Sequence, residues 1–361
     1  MAKKNYTKII GSGSCIPDLK IANDHFLSYA FFDPSTKKKL NKPNEEIIQK
    51  FRKIAGIEER RWVRPDQVTS DITAIAIRNA CNSAGVDPED LDFIIVGHNF
   101  GDICEGSNSS DILPSLANKV KEKLKIKNPR CICHDVIAGC PGWTQSMIIA
   151  DCYIRSGIHK RGAVVGADVL SRISDPHDRD SMIYADGAGA VIVEAKKSRK
   201  PTGIISHASR SDSIRYASML TLGPSENQEI EREKLFIKMQ GHKLYLYAIN
   251  YVPEIVKESI EKAGIELTDI KKILIHQANE KMDEAMLKGL FKLYKKRKIP
   301  EDIMPMSISR LGNSSTATVP ILYDLVMKGE MDGHSIRKGE YIVFISVGAG
   351  MNINSIVYKV P

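Results

Sequence analysis

Three polar residues, spread over half the chain, have the types that thiolate chemistry uses. Cys140 stands in Asp135-Val136-Ile137-Ala138-Gly139-Cys140-Pro141-Gly142-Trp143-Thr144, where an apolar run gives way to a helical pattern. Met147, Ile148, Ile149, Cys152 and Tyr153 recur on one side of that helix, and Gly157 closes it. Cys140 is therefore expected on a sharp turn at a helix N-terminus. There, unpaired N–H groups and the helix dipole favour an anion and lower a thiol pKa. Pro141 suits a first turn because it gives up no helical hydrogen bond. His276 ends a second apolar run in His276-Gln277-Ala278-Asn279. Asn313 lies in Ser309-Arg310-Leu311-Gly312-Asn313-Ser314-Ser315-Thr316-Ala317, at the mouth of a helix expected over 317–327. Free cysteines are also commonly inert core residues, and Gly-Asn is commonly a plain turn.

The elements that must position these residues are those of an α/β protein. Helical patterns at 72–81 and 252–262 are each followed by an Ala-Gly stop, a capped turn and a short β-rich run. Ala84-Gly85-Val86-Asp87-Pro88-Glu89-Asp90-Leu91-Asp92-Phe93-Ile94-Ile95-Val96 thus returns as Ala263-Gly264-Ile265-Glu266-Leu267-Thr268-Asp269-Ile270-Lys271-Lys272-Ile273-Leu274-Ile275 at a constant offset (263 − 84 = 179). Agreement position by position indicates an internal duplication, with halves at 1–196 and 197–361. Helix, turn and buried strand are the pieces of a parallel α/β sheet. In open sheets of that kind functional groups gather at the carboxyl ends of strands. One copy ends in Gly97-His98-Asn99, the other in His276, and Cys140 follows the β-rich run 131–137, so Cys140 and His276 are expected on one side of the molecule. A strand at 341–347 leads into Gly348-Ala349-Gly350, a tight turn whose N–H groups can face a reacting oxygen. Asp186-Gly187-Ala188-Gly189-Ala190 reads as a matching structural turn before a strand at 191–194.

Composition narrows the class. The 361 residues allow a large core, and no apolar run of 18 residues or charged-then-apolar leader occurs, so neither a membrane span nor a signal peptide is expected. Seven cysteines, an odd count confined to the first half, indicate reduced thiols in a cytoplasm. The net charge of +8 is spread along the chain, as on a solvated surface or one facing an acidic partner. Lys8-Ile9-Ile10-Gly11-Ser12-Gly13-Ser14 reads as a strand running into a glycine turn. It lacks the third glycine, helix start and acidic residue of a nucleotide loop. Cys131-Ile132-Cys133-His134 has no second ligand pair, and strand alternation puts its histidine opposite its cysteines, so no metal site is expected. Lys292, Lys295, Lys296, Arg297 and Lys298 read as a solvated helix end, where positive charge suits the dipole. His98 and His207 read as satisfied structural histidines. Papain-like proteases share the order cysteine, histidine, asparagine, but their Cys-Gly-Ser/Ala-Cys-Trp/Tyr signature is absent.

The ordered motifs Lys8 to Ser14, Gly56-Ile57-Glu58-Glu59-Arg60, Asp135 to Gly142, Gly166-Ala167-Asp168-Val169-Leu170-Ser171-Arg172, Asp186 to Ala190, His276 to Asn279, Gly312 to Ser315 and Gly348 to Gly350 carry a resemblance. Nearly end to end, the chain resembles the β-ketoacyl-acyl-carrier-protein synthase III enzymes of the thiolase superfamily. The resemblance implies a duplicated five-layer α/β/α/β/α sandwich and a homodimer. It implies that Cys140 is acylated by a primer thioester, and that His276 and Asn313 bond the thioester carbonyl of malonyl-acyl-carrier protein as CO2 leaves. The backbone N–H groups of Cys140 and Ala349 would form the oxyanion hole. Arg172 and Lys281 match basic positions at the pantetheine entrance and carrier contact, and His242 stands where an asparagine is expected near the pantetheine arm. No cofactor, metal or nucleic acid is implied.

Departures from the family pattern refine the expectation. Lys50 stands in place of the tryptophan that stacks on coenzyme A, and Ile54 in place of a nearby arginine. These favour acyl-carrier protein over coenzyme A as primer donor. Stretches 29–44 and 100–111 lengthen loops that border the dimer and the acyl tunnel in relatives. Leu113, ahead of Pro114, takes the place of a tunnel-closing residue that is often phenylalanine, which implies a primer longer than acetyl. Glu105 is either an exposed loop acid or an extra base of the kind used by relatives that join two long acyl chains. The expected function is acyl transfer to Cys140, then decarboxylative Claisen condensation. The alternatives are a condensing enzyme joining two longer acyl or β-ketoacyl thioesters, and a non-catalytic carrier-binding partner.

Overall fold

The structure, a computed structural model, describes residues 3–361, so the first two residues of the expected N-terminal half lie outside the described residues. In chain order the first strands are β1 (Lys4–Cys15), β2 (Leu19–Ala22), β3 (Glu59–Trp62), β4 (Phe93–Gly97), β5 (Ile132–Val136), β6 (Arg161–Val169) and β7 (Asp186–Ser198). The later ones are β8 (Gly203–Ser211), β9 (Leu220–Pro224), β10 (Leu235–Met239), β11 (Ile270–Ile275), β12 (Tyr341–Gly348) and β13 (Asn352–Lys359). The helices are α1 (Asn44–Ala55), α2 (Thr69–Ala84), α3 (Leu116–Lys123), α4 (Gly142–Ser156) and α5 (Ser213–Tyr216). After them come α6 (Gly241–Ala263), α7 (Glu280–Leu293), α8 (Ile308–Leu311) and α9 (Thr318–Lys328).

The repeat in the sequence is a repeat in space. One sheet has the order β1-β7-β6-β4-β5 and the other β8-β13-β12-β11. β4·β6 and β11·β12 are parallel, while β6·β7, β7·β1, β12·β13 and β13·β8 are antiparallel, so four strands match one for one. The Ala-Gly stops are real helix ends: Gly85 (φ 64°) and Gly264 (φ 68°) take the left-handed conformation that closes α2 and α6.

Alternation along these strands builds five layers. Phe93 and Ile95 of β4, with Leu274, Ile342 and Phe344 of the second sheet, pack on α4 and α9 in the centre. Their sequence neighbours Ile94 and Val96 face α2 and α3, while Ile273, Val343 and Ile345 face α6 and α7. The result is the α/β/α/β/α sandwich implied by the family resemblance.

Several local expectations are corrected. β1 does not turn at Gly11-Ser12-Gly13 but runs straight through it. Glycines are needed there because a Cβ on Gly11 would lie 2.6 Å from the Ala80 carbonyl oxygen, and one on Gly13 2.3 Å from Ala80 N, both in α2. Asp186 to Ala190 is likewise strand rather than turn, with a Cβ on Gly189 falling 2.6 Å from Ile321 N of α9. The expected one-sided face of α4 is also too narrow. Trp143, Ser146, Met147, Ala150 and Ile154 are all buried while Cys152 is exposed, because a helix between two sheets is covered on most sides. The stretch 29–44 is anchored, with Phe31 buried beside Phe26, Ile47 and Met182.

The structure adds a second repeat that the sequence reading missed. Gly139-Cys140 and Gly312-Asn313 precede α4 and α9 at the same offset (313 − 140 = 173), and so do Asp151 and Asp324 within them. Asp151 accepts from Thr7 Oγ1 (2.5 Å) of β1 and from Arg155 Nε (2.6 Å). Asp324 accepts from Ser12 Oγ (2.8 Å) and Ser14 Oγ (2.7 Å) of β1 and from Lys328 Nζ (2.7 Å). Removing one such buried carboxylate strands its donors. Asp324→Ala is expected to lower unfolding stability by ~3 kcal/mol, read as a lower urea midpoint at unchanged slope. A loss within ~0.5 kcal/mol would contradict this.

Candidate active site

The ends of three strands and the starts of two helices meet at one cavity of about 190 Å³. Cys140, His276, Asn313 and Ala349 all line it, as do Asn99, Tyr184, Ser315 and Gly348. The remaining wall is mostly apolar: Phe100, Leu170, Leu244, Met282 and Val347, with Leu220, Leu222, Ile237 and Met239 from the β9–β10 ribbon, which also contributes Thr221. That ribbon is fastened to the body by Lys238, whose Nζ lies 2.5 Å from Asp175 and 2.8 Å from Glu226. Lys37 of the stretch 29–44 also pairs with Glu226, so this stretch braces the ribbon.

Cys140 sits where the sequence places it. Gly139 (φ 67°) makes the turn, Pro141 precedes the first turn of α4, and Gly157 (φ 80°) ends the helix. β12 ends against this turn. A Cβ on Gly348 would lie 2.7 Å from Cys140 N, and one on Gly139 2.5 Å from Ala349 N. Only paired glycines let the two backbones approach so closely, and they bring together Cys140 and Ala349, which both line the cavity.

Behind the sulfur runs a chain of hydrogen bonds with a defined direction. The buried Asp168 carboxylate accepts from Asn99 N (2.8 Å), Asn99 Nδ2 (2.8 Å) and Thr316 Oγ1 (2.9 Å). The second Asn99 amide hydrogen goes to Ser315 Oγ (2.8 Å), which leaves the Ser315 hydroxyl to donate to Cys140 Sγ (3.3 Å). Ser315 holds φ 53°, a left-handed conformation unusual for a side-chain residue. It is held there by its N–H donating to Asn313 Oδ1 (2.8 Å) as well as by its hydroxyl. Oδ1 is thus engaged, and the amide nitrogen is the donor end of this cavity-lining residue.

Electrostatics correct one expectation. Burial pushes the Cys140 thiol up to about 12, outweighing the Ser315 hydroxyl and the Cys140 N–H, which pull it down, and nearby Asp168 adds to the rise. The helix N-terminus is in place, yet desolvation of the thiolate dominates. Burial acts on His276 in the opposite sense and pushes it down to about 4, so its ring is neutral at pH 7. Gln277 and Asn279 of the same motif are structural. Gln277 Nε2 donates to Pro305 O (2.8 Å), and Asn279 Oδ1 accepts from Met282 N (3.1 Å) to cap α7.

The other expected contact residues fall outside the wall. Arg172 is committed to the Ile103 (2.5 Å), Arg64 (3.0 Å) and Pro65 (3.2 Å) carbonyls and to Glu105 (3.2 Å). Glu105 is thereby held in an exposed ion pair. His242 and Lys281 are exposed, two residues before Leu244 and one before Met282 in the chain, and Leu113 is 85% exposed on its loop. His98 turns away, its Nε2 lying 3.1 Å from Asp135. Cys131 and Cys133 pack in the outer core while His134 meets Tyr153 on the other face, and no metal-holding cluster occurs among the described residues. Asn99, Asp168, Tyr184 and Ser315 were missed by sequence reasoning, although Asn99 stands at a strand end and Ser315 two residues from Asn313. Removing the hydroxyl donor in Ser315→Ala is expected to raise the Cys140 pKa further. Alkylation by iodoacetamide at pH 8 would slow roughly tenfold or more, and an unchanged rate would show that the sulfur does not use that bond.

Comparison with known proteins agrees with this architecture. Residues 134–213 match the model described as 3-oxoacyl-[acyl-carrier-protein (ACP)] synthase III, and residues 260–360 match that of its C terminal. The 3-oxoacyl-[acyl-carrier-protein] synthase III of Aquifex aeolicus is 25% identical, with a TM-score of 0.79 over 98% of this chain and 99% of that one. The β-ketoacyl-[acyl carrier protein] synthase III of Thermus thermophilus is 26% identical, with a TM-score of 0.80 over 98% of this chain and 99% of that one. An OleA variant of Xanthomonas campestris, 16% identical, shares the fold with a TM-score of 0.75 over 99% of both chains. With the two matched segments together spanning half the chain and the fold shared end to end, this protein belongs to the 3-oxoacyl-[acyl-carrier-protein] synthase III family of condensing enzymes.

Proposed function

We propose that the protein transfers an acyl group to Cys140 and then joins it to malonyl-acyl-carrier protein by decarboxylative Claisen condensation. The observation that carries this reading is the convergence of Cys140, His276, Asn313 and the Gly139–Gly348 crossing on a single apolar-walled cavity. In the first step the Cys140 sulfur attacks the primer thioester carbonyl. The N–H groups of Cys140 and Ala349 take the developing oxyanion, and the carrier thiol leaves with the proton. In the second, the malonyl carboxylate departs as CO2, and its electron pair forms an enolate on the thioester. Neutral His276 and the Asn313 amide donate to that oxygen. The enolate carbon attacks the acyl-Cys140 carbonyl, and the cysteine thiolate leaves. Loss of either donor typically costs ~10²–10³ in rate.

The proposed setting is a cytoplasmic homodimer served by an acidic acyl-carrier protein, for which the exposed His242 and Lys281 and the net charge of +8 are suited. Coenzyme A is the less suited primer carrier, because Lys50 and Ile54 are exposed where the adenine would need an aromatic platform. The long apolar wall supports a primer longer than acetyl, and it also favours a second reading in which two longer acyl or β-ketoacyl thioesters are joined.

Intact-mass spectrometry after incubation with acyl thioesters of graded length tests this reading. The expected result is an adduct lost in Cys140→Ala, larger with C8 or longer primers than with acetyl, and cleared with CO2 release by malonyl-acyl-carrier protein. Clearance only by a second long acyl thioester would establish the second reading, and no adduct at all would leave a carrier-binding partner. In His276→Ala and Asn313→Ala the adduct is expected to form but clear ~10²–10³-fold more slowly. Because the His276 pKa is lowered to about 4, the ring stays neutral from pH 8 down to pH 5. Adduct clearance should therefore show no loss of rate with a midpoint near pH 6.5, and such a loss would contradict the donor role.

A further inference from the structure

The cavity wall has two kinds of backing. Leu244, Met282 and Val347 belong to the core shared by α6, α7 and the second sheet, so regular elements stand behind them. Phe100, Leu170, Tyr184, Leu220 and Ile237 line the cavity as well, yet they belong to a separate apolar cluster whose least exposed member is Ile103. Ile103 is fully buried and does not itself line the cavity, so it stands in the layer behind this side of the wall, together with Ile173. It comes from a loop rather than from a helix or strand. Among the described residues 102–115, Ile103 alone is buried.

That loop is fastened along its length. Near its start, Thr69 Oγ1 donates to Gly101 O (2.9 Å), and Asp102 accepts from Ser70 N and Ser70 Oγ (both 2.8 Å) at the beginning of α2. Further on, Asn108 Nδ2 donates to Leu235 O (3.1 Å) of the ribbon. Between these ties Arg172 Nη1 donates to the carbonyl of Ile103 itself (2.5 Å), while Nη2 donates to Arg64 O and Pro65 O. The Arg172 side chain is 6% exposed, and its rigid planar fork holds these carbonyls in one arrangement. Interiors packed to this density have no slack. An acyl chain that outgrows the hollow of about 190 Å³ must push the wall outward, and on this side the wall meets Ile103.

We propose that Ile103 sets the upper chain length of the acyl group held on Cys140, and that Arg172 is the positioning residue that seats it. This rests on the proposed acylation of Cys140 and names the length limit of its substrate. Ile103→Ala removes the isoleucine side chain beyond Cβ, so the wall can recede into the vacated space and admit about two more methylenes. Each methylene gained or lost in an apolar pocket changes use of a substrate by roughly tenfold or more.

The test measures acylation of Cys140 by a graded series of saturated acyl thioesters, each over a range of concentrations, in the wild type, Ile103→Ala, Ile103→Leu and Arg172→Met. In Ile103→Ala the favoured length is expected to rise by about two carbons, with the longer chain gaining roughly tenfold or more over the wild-type favourite. The gain should appear as a lower half-saturation concentration for the longer chain, whereas a merely loosened fold would slow all lengths alike. Ile103→Leu keeps the volume and should rescue the wild-type length preference. Arg172→Met should shift the preference in the same direction as Ile103→Ala, and the double variant no further than the larger single one. An unmoved length profile in a folded Ile103→Ala, or an equal loss at every length, overturns the proposal, and an unmoved profile in Arg172→Met overturns the part given to Arg172. A thermal melt checks folding, and if Ile103→Ala does not fold, the same shift on a smaller scale in Ile103→Val decides. If no thioester acylates Cys140 in the wild type, the proposed function fails separately. Calorimetric binding of the same series as pantetheine thioesters then decides this inference: a longer favoured chain in Ile103→Ala supports it, and an unchanged favourite, or no binding at any length, overturns it.

Discussion

Two helices with almost no solvent-facing side govern the rest of the molecule. α4 and α9 lie between the sheets, so every side chain on their first turns must pack or find a polar partner inside the protein. Asp151 and Asp324 are tolerated there because β1 supplies hydroxyls from both ends of its length, through Thr7 to one helix and Ser12 and Ser14 to the other. These bonds tie the first strand of the chain to a helix of each half. They hold the bodies of α4 and α9 against β1, and Cys140 and Asn313 lie just ahead of those helices.

Water exclusion shapes the chemistry at those helix starts. Burial works against charge on Cys140, His276 and Asp168 alike, raising the two acids and lowering the base. Hydrogen bonds oppose that trend unevenly. Asp168 is surrounded by donors, whereas His276 Nδ1 has no partner at all. The site thus keeps its imidazole uncharged and aims hydrogen-bond donors at defined oxygens and at the sulfur, while burial still disfavours the thiolate. Under the proposed function that division matches where charge develops during acyl transfer and decarboxylation.

Much of the fold was legible because its information is local. The Ala-Gly stops, the alternation in Phe93-Ile94-Ile95-Val96 and the glycine before Cys140 each dictate a short piece of structure that survives in the folded chain. The placement of Cys140, His276 and Asn313 was legible for a related reason, since strand ends and helix starts can be read from neighbouring residues. What stayed hidden depends on contacts far along the chain. Gly11 and Gly13 resemble a loop until α2 is laid across them, and Asp186 to Ala190 resembles a turn until α9 is. The thiol pKa was misjudged because a helix N-terminus is visible in sequence and the depth of a cavity is not. The network from Asp168 through Asn99 to Ser315 joins residues 69 and 216 positions apart, a separation that no spacing rule can bridge.

The matched positions of Cys140 and Asn313 bear on how such a protein can change over generations. A duplicated element ordinarily offers a spare, since one copy can drift while the other keeps the original role. Here the two loops have diverged into complementary holders, a thiol in one and an amide in the other, facing a common hollow. Neither can stand in for its twin, and a segment exchanged between the halves would double one group and delete the other. Symmetry that once supplied redundancy has become interdependence, and both copies must now be inherited together.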